Sequence, residues 1–297
     1  MKKILLATAA LSAMTGYAAA EVTVTGEAKM GVVYASNESD KAAFYSRVRV
    51  KFAMMGTTDG GLEFGAAVRA DQVGGNGSTD LDGDPTTGKT SNGLLNGDST
   101  VYIKGAFGKL TMGDVGGGPD SLVGQVSGVG FGPYDGLQEI DFLGTQKTAA
   151  YYEYSSGALT FGVGVGQTFL GEDNRNVAVK YATDSFSVAI GYEDAQSDTQ
   201  LSVAGSATFG ATTVKAKIVD QNTFDDLQFA LSADYVAGAG TYTAFYTDFA
   251  DLGKQHVGIG AAYDLGGGAS VKAGVVRQMN DVGPDHTFAD VGVVMSF

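Results

Sequence analysis

The 297-residue sequence lacks cysteine and tryptophan and has only two histidines, His256 and His286, and four prolines. Without cysteine there is no disulfide framework, no thiolate metal site and no cysteine nucleophile. Two histidines leave little material for a histidine metal centre or a catalytic triad. The net charge of -14 argues against a nucleic-acid partner. Glycine is abundant, with 45 residues, and a hydrophobic fraction of 44% excludes a disordered chain.

The first twenty residues are predicted to form a cleaved secretory signal peptide. Lys2 and Lys3 give a basic start, residues 4–13 form an apolar run, and an Ala-x-Ala site precedes Glu21. The predicted organisation is therefore a signal peptide at 1–20 and one domain at 21–297. Beyond residue 20 no run of about 20 apolar residues occurs, which excludes membrane-spanning helices.

From residue 22 onward, apolar and polar side chains alternate with a period of two, which is typical of β-strands. Short connections rich in glycine or polar residues alternate along the chain with connections that are mostly longer, as in an antiparallel meander. Sixteen strands are predicted, at 22–34, 43–54, 62–70, 101–107, 110–112, 150–154, 159–165, 177–181, 186–192, 201–209, 212–218, 227–235, 242–246, 257–265, 269–275 and 289–297.

The apolar faces of these strands carry no charged residue, whereas the opposite faces carry most of the lysines and arginines. In a soluble β-protein the apolar face would be the core, and in a membrane barrel it would face lipid around a wet lumen. Aromatic residues at the strand ends nearest the short connections favour the membrane barrel, because amphipathic rings gather at the lipid interface. They are Phe107, Tyr154, Tyr181, Phe186, Phe209, Tyr235, Tyr242, Tyr263 and Phe297.

Lipid also requires a closed sheet, because backbone groups at an open edge would find no partner in hydrocarbon. The first strand is therefore expected to pair with the last. Sixteen strands enclose an aqueous channel, unlike eight. The predicted fold is an all-β, 16-stranded antiparallel transmembrane β-barrel.

Four stretches and the C-terminal strand resemble the general porins of Gram-negative outer membranes, closest to the alphaproteobacterial type. The stretches are EVTVTGEAKMGVVY, SRVRVKFAMMGTTDGGLEFGA, AFGKLTMGDV and GAAYDLGGGAS, and the C-terminal strand ADVGVVMSF ends in Phe297. The resemblance covers the whole chain after residue 20. It implies a homotrimer of sixteen-stranded barrels in the outer membrane. It also implies that the third loop folds into the lumen, where its acidic residues face a basic cluster on the wall.

The long connection at 114–147 is the candidate for this loop. It carries apolar residues such as Phe131 and Ile140, so we expect it to pack against the inner wall rather than extend as a mobile acidic surface loop. Its acidic residues are Asp114, Asp120, Asp135, Glu139 and Asp141. The expected basic wall is Arg47, Arg49 and Lys51 on one strand with Arg69 on its neighbour.

Opposed charges of this kind would create a transverse field that favours polar solutes and needs no catalytic group. The alternative is that the basic cluster only solvates the lumen. Two further signals are weaker. Asp80, Asp82 and Asp84 alternate in an oxygen-rich segment that could hold Ca²⁺, although the segment lacks the downstream Glu of an EF-hand. The family resemblance equally implies that this loop contacts a neighbouring subunit.

The glycines at 162, 164 and 166 lie within a strand rather than a phosphate loop, and they either admit a loop closely or mark a flat wall between subunits. His256 lies on an inward phase with no neighbouring nucleophile. We therefore predict a passive channel for ions and small hydrophilic solutes with no cofactor. Its partners would be outer-membrane lipid and lipopolysaccharide. The alternatives are a substrate-selective channel with a solute-binding lumen and, less favoured, an outer-membrane enzyme or adhesin.

Overall fold

The computed structural model describes residues 21–74, 95–144, 149–166, 174–195 and 198–297. The predicted signal peptide and the segment with Asp80, Asp82 and Asp84 lie outside these residues. Sixteen antiparallel strands form one closed barrel, as predicted. They are β1 (Glu21–Ala35), β2 (Ala42–Thr57), β3 (Glu63–Gly74), β4 (Leu95–Gly105), β5 (Gly108–Gly113), β6 (Ala149–Ser156), β7 (Leu159–Val165), β8 (Asn174–Ala182), β9 (Phe186–Ala195), β10 (Asp198–Phe209), β11 (Thr212–Gln221), β12 (Gln228–Ala237), β13 (Gly240–Asp248), β14 (Lys254–Gly266), β15 (Ala269–Asn280) and β16 (His286–Ser296).

The barrel closes between its first and last strands, which confirms the expected pairing. Met30 of β1 lies opposite Val293 of β16, and the ladder continues to Glu27 and Ser296. Just past β16, the amide of Phe297 donates to the carbonyl of Gly26 at 2.8 Å, and the amide of Gly26 donates back at 3.1 Å. The C-terminal residue therefore completes the hydrogen bonding that an apolar surrounding demands.

The outer face of the barrel is apolar and exposed. On β1, for example, Val22, Val24 and Met30 are more than half exposed, whereas the alternate Lys29 and Val33 are buried. The aromatic residues predicted to form a girdle are also exposed at the rim of short turns. An apolar band that ends in a ring of aromatics is the surface that a lipid bilayer covers.

The position predicted for one turn is wrong. The strand predicted at 101–107 ends at Gly105, and β5 begins at Gly108, so the turn lies at 106–107 rather than at Gly108 and Lys109. Gly105 pairs with Gly108 across this two-residue turn. Glycine is the usual turn residue, but here the two glycines flank the turn and Phe107 occupies it.

Several strands also extend further toward the long connections than hydrophobic alternation indicated. β16 begins at His286, and β15 ends at Asn280. The extension is polar and is held by side chains: Arg277 on the outer face of β15 pairs with Asp285 at 2.9 Å. Backbone pairing continues beyond the lipid level, where nothing requires an apolar outer face.

Helical structure is limited in the described residues to α1 (Gly117–Leu122) and one 3-10 turn at Ala250–Leu252. Among the residues that the structure describes, no helix has the length and apolar character needed to cross a membrane.

Candidate functional site

The connection between β5 and β6 lies inside the barrel, as predicted, and its described part, residues 114–144, is called loop L3 below. It begins with α1, whose buried face lies against β6 to β9. The amide of Gly118 donates to Oδ1 of Asn176 on β8 at 2.7 Å. A Cβ on Gly118 would lie 3.0 Å from the carbonyl oxygen of Gly162 on β7. The glycines of β7 therefore face the lumen where L3 approaches closely, which is one of the two interpretations offered above for these glycines.

The middle of L3 reaches the opposite wall. Phe131 is 1% exposed and packs edge-on against Tyr45 of β2, with ring centroids 5.8 Å apart. It occupies a socket that exists because Gly31 and Gly292 have no side chains: a Cβ on either would lie within 2.5 Å of the Phe131 ring. Asp290 on β16 accepts hydrogen bonds from the amides of Phe131 and Gly132, both at 3.0 Å.

The returning half of L3 is held by two buried charged side chains. Lys217 on β11 donates to the carbonyl of Ile140 at 2.7 Å and to Oε1 of Gln125 at 2.9 Å. Glu193 on β9, which is fully buried, accepts from the amides of Leu143 and Gly144, both at 3.2 Å. Both side chains therefore bind loop backbone rather than facing the open lumen.

His256 on β14 also holds L3. Its Nδ1 lies 2.6 Å from the carbonyl oxygen of Leu137, and its Nε2 lies 3.2 Å from Oε1 of Gln278. His256 faces inward, as its phase predicted, and both ring nitrogens have structural partners. Nearby, Thr247 on β13 donates to the carbonyl of Gln138 at 2.9 Å.

The acidic residues of L3 lie on its lumen side. Asp120, Asp135, Glu139 and Asp141 are exposed, whereas Asp114 at the start of the loop is partly buried. Partial burial raises the pKa of Glu139, and the neighbouring carboxylates of Asp135 and Asp141 raise it further. Partial burial of its carboxyl group likewise raises the pKa of Asp120, although the residue as a whole is exposed. The loop thus presents carboxylates to the water while its apolar residues cover the wall.

The residues predicted to form the basic wall share the inner face of β2 and β3. Tyr45 faces Phe131 of L3, and Arg47, Arg49 and Lys51 follow it at alternate positions on β2. Lys51 lies directly opposite Arg69 of β3 in the ladder. The structure therefore brings together the four predicted cations, here called the basic wall.

Two wall carboxylates that the sequence did not assign pair with this cluster. Asp71 accepts from Arg49 through both oxygens, at 2.8 and 3.2 Å, and lies 3.1 Å from Nε of Arg69. Glu27 on β1 accepts from Arg47 at 2.5 Å. Bidentate and shared carboxylates fix the guanidinium planes, so the arginines are held in position as well as charged.

One ion pair joins L3 to this side of the lumen. Lys29 of β1 lies 3.1 Å from Asp135 of L3 and 3.9 Å from Glu27. Asp135 was among the acidic residues predicted in L3, but its partner Lys29 was not among the predicted wall residues. Lys29 lies on the polar face of the first predicted strand, and this was the one indication in the sequence that it could face the lumen.

Known proteins resemble this chain over almost its full length. The family model described as Gram-negative porin matches residues 7–283. A porin of Rhodobacter capsulatus is 34% identical over 324 residues, which span 93% of this chain and all of the relative. A porin structure refined at 1.8 Å resolution is 31% identical, with a TM-score of 0.74 and coverage of 93% of this chain and all of the other.

Two more distant structures share the fold. A triple mutant of Rhodopseudomonas blastica porin has a TM-score of 0.76 at 21% identity, and it covers 93% of this chain and all of the other. Vibrio cholerae OmpT, an outer membrane protein solved in a trimer form, has a TM-score of 0.68 at 15% identity. It is aligned over 94% of this chain and all of its own.

Proposed function

This chain belongs to the Gram-negative porin family, and on that premise we propose where its solutes pass: through the gap between the basic wall and the acidic side of L3. The protein is an outer-membrane diffusion channel. L3 contacts β1, the Tyr45 end of β2 and the inner faces of β6 to β16. The arc of β2 to β5 is therefore the wall that borders the open water, and this arc carries the basic wall.

The proposal rests on the unequal distribution of charged side chains around the lumen. Positive side chains lie on the inner face of β2 and β3, exposed carboxylates lie on L3, and Lys29 of β1 joins L3 to the wall through Asp135. We infer from this that the two charged surfaces face each other across the lumen. Separated charges across a water-filled gap set up a transverse field. A polar solute aligns its dipole in that field, whereas an apolar solute would displace ordered water without compensation. The gap thereby filters by polarity without binding any one solute.

We propose that the functional unit is a homotrimer in contact with outer-membrane lipid and lipopolysaccharide. The support is the porin family itself and the exposed apolar outer face. An apolar surface this extensive on a single chain requires either lipid or another subunit against it.

Transport in this proposal involves no chemical step and no cofactor. His256 has both ring nitrogens engaged by Leu137 and Gln278, which suits a residue that holds L3 rather than one that exchanges protons with a substrate. An enzymatic function would predict a hydrolytic activity that His256→Ala abolishes. Our account predicts no activity to abolish and a change in channel behaviour instead.

Liposome swelling tests the proposal. Vesicles containing the purified protein should swell in sugars and amino acids at rates that rise linearly with solute concentration and fall with solute size. A substrate-selective channel would instead give rates that saturate for one solute class. Saturation for a single sugar or amino acid, with slow entry of others of equal size, would contradict a general diffusion channel.

A further inference from the structure

A small polar pocket lies between L3 and the wall, away from the gap described above. It has a volume of about 200 Å³ and is bounded by residues 121–126 of L3 and by the inner faces of β8 to β11. Its floor includes Ser187 of β9 and Ser206 of β10, whose hydroxyl oxygens are 2.9 Å apart. Lys180 of β8 and Lys215 of β11 lie at its two ends.

The ladder explains how the two lysines come to flank the serines. Ser206 pairs with Ser187 on one side and with Lys215 on the other, so these three side chains form one row across the wall. Lys180 pairs with Ala189 in the adjacent row. The alanine leaves room above the floor, and residues 121–126 of L3 cover the pocket.

The pocket is positively charged and unbalanced. Within the residues that the structure describes, neither Lys180 nor Lys215 has a carboxylate at salt-bridge distance. Glu193, the inward carboxylate on β9, is already committed to the amides of Leu143 and Gly144. Asp120 of α1 is exposed and does not line the pocket.

We propose that this pocket binds the oxyanion group, phosphate or carboxylate, of a small anionic solute. Two ammonium groups supply charge and donors. Because one hydroxyl of the Ser187–Ser206 pair donates to the other, the second keeps its proton for an oxyanion oxygen. The volume lies below the roughly 300 to 1,000 Å³ of pockets that hold drug-sized ligands, so the site fits an anionic group rather than a large molecule. The inference rests on the proposed channel, because the lumen is the route to the pocket.

The pocket lies toward the rim of short turns, since Ser187 follows the turn at 183–185 and Ser206 precedes the turn at 210–211. Short turns in barrels of this class face the periplasm. An anion would therefore reach the pocket from the periplasmic mouth. Once bound, it would offset part or all of the positive charge of these two lysines and shift the channel toward cation selectivity.

Reversal potentials in planar bilayers test this site, with inorganic phosphate and acetate as separate probes. Millimolar additions to the periplasmic side of wild-type channels, at a fixed ionic strength of about 0.1 M, should shift selectivity toward cations and saturate. The double variant Lys180→Met, Lys215→Met should raise the half-effective concentration by about tenfold, which corresponds to roughly 1.4 kcal/mol. Lys272→Met is the matched control, because Lys272 faces the lumen on β15 near the same rim but lies off the pocket.

A saturating shift with either probe supports the site, and the more potent probe identifies the preferred group. No saturating shift in wild type, or the same half-effective concentration in wild type and in the double variant, would overturn it. If the double variant does not assemble, Lys180→Gln and Lys215→Gln are tested singly, with about a threefold increase expected for each. Absence of any current in chloride would refute the channel itself, so the two failures are distinguishable.

Discussion

Replacing Arg47, Arg49 and Lys51 with alanine should make the channel markedly more cation-selective. The triple variant removes three positive charges from the wall, and Lys29 and Arg69 then balance Glu27 and Asp71. Asp135 keeps Lys29 as its partner, but the remaining exposed carboxylates of L3, Asp120, Glu139 and Asp141, no longer have the three removed cations across the lumen. Each wall carboxylate keeps a cationic neighbour, Lys29 at 3.9 Å for Glu27 and Arg69 at 3.1 Å for Asp71, so we expect the barrel to assemble.

The size of the effect follows from screened electrostatics. At one Debye length, about 10 Å in 0.1 M salt, a single wall charge changes the energy of a permeating ion by roughly 0.15 kcal/mol in water. Three charges contribute about 0.45 kcal/mol, with opposite signs for K⁺ and Cl⁻. The cation-to-anion permeability ratio should therefore rise by about fivefold.

The assay is the reversal potential across a KCl gradient, measured for wild type, the triple variant and a charge-preserving control with Arg47→Lys and Arg49→Lys. The control should stay near wild type, because it keeps the charges and changes only the hydrogen bonding. In 1 M salt the difference should shrink, since the Debye length falls to about 3 Å. Equal reversal potentials for wild type and the triple variant in dilute salt would remove the basic wall from the mechanism.

Three other predictions concern L3 and the cation site. Gly292→Ala would place a Cβ against the ring of Phe131 and displace L3, so the conductance should change and the trimer should dissociate at a lower temperature on heated gels. Gly205→Ala is the control: its Cβ would lie 3.4 Å from the nearest atom, so this variant should match wild type on the same gels. Because the pKa of Glu139 is raised, acidification should neutralise it at a higher pH than an ordinary carboxylate and move selectivity toward anions. Glu139→Gln should remove that part of the pH profile of the reversal potential. The Ca²⁺ site predicted at 80–84 stays a prediction: EDTA should lower the melting temperature of the trimer in calorimetry, and an unchanged melting temperature would count against it.

The barrel was predictable because its environment imposes a simple rule on the sequence. Successive side chains of each strand face lipid and water in turn, so the period-two pattern identified all sixteen strands and the pair that closes the barrel. The rule fails at the strand ends, where both faces meet water. Asp71 and Glu193 each lie one residue past the end of a predicted strand, where the alternation had stopped, and were therefore missed.

The rule also fails where L3 replaces water. Val33, Phe245, Val276 and Phe288 face inward yet are buried and apolar, because they pack against the loop. Phe245 gives the inward face of the strand predicted at 242–246 an aromatic residue, so both faces of that strand carry aromatics. The apolar residues of the long connection did predict that it packs against the inner wall.

The sequence did not predict which wall residues hold L3. Asp290 and Glu193 bind loop amides, and Lys217 binds a loop carbonyl. Backbone amides and carbonyls are present at every position, so nothing in the pattern of side chains singles out the ones that a distant strand will contact.

Single-channel recording of the purified protein in a planar lipid bilayer tests the central claim most directly. The account predicts long-lived, nearly ohmic steps whose conductance rises with salt concentration, from a protein that requires detergent or lipid to remain in solution. A chain that stays folded and monodisperse in plain buffer, and that adds no conductance to the bilayer, would contradict it.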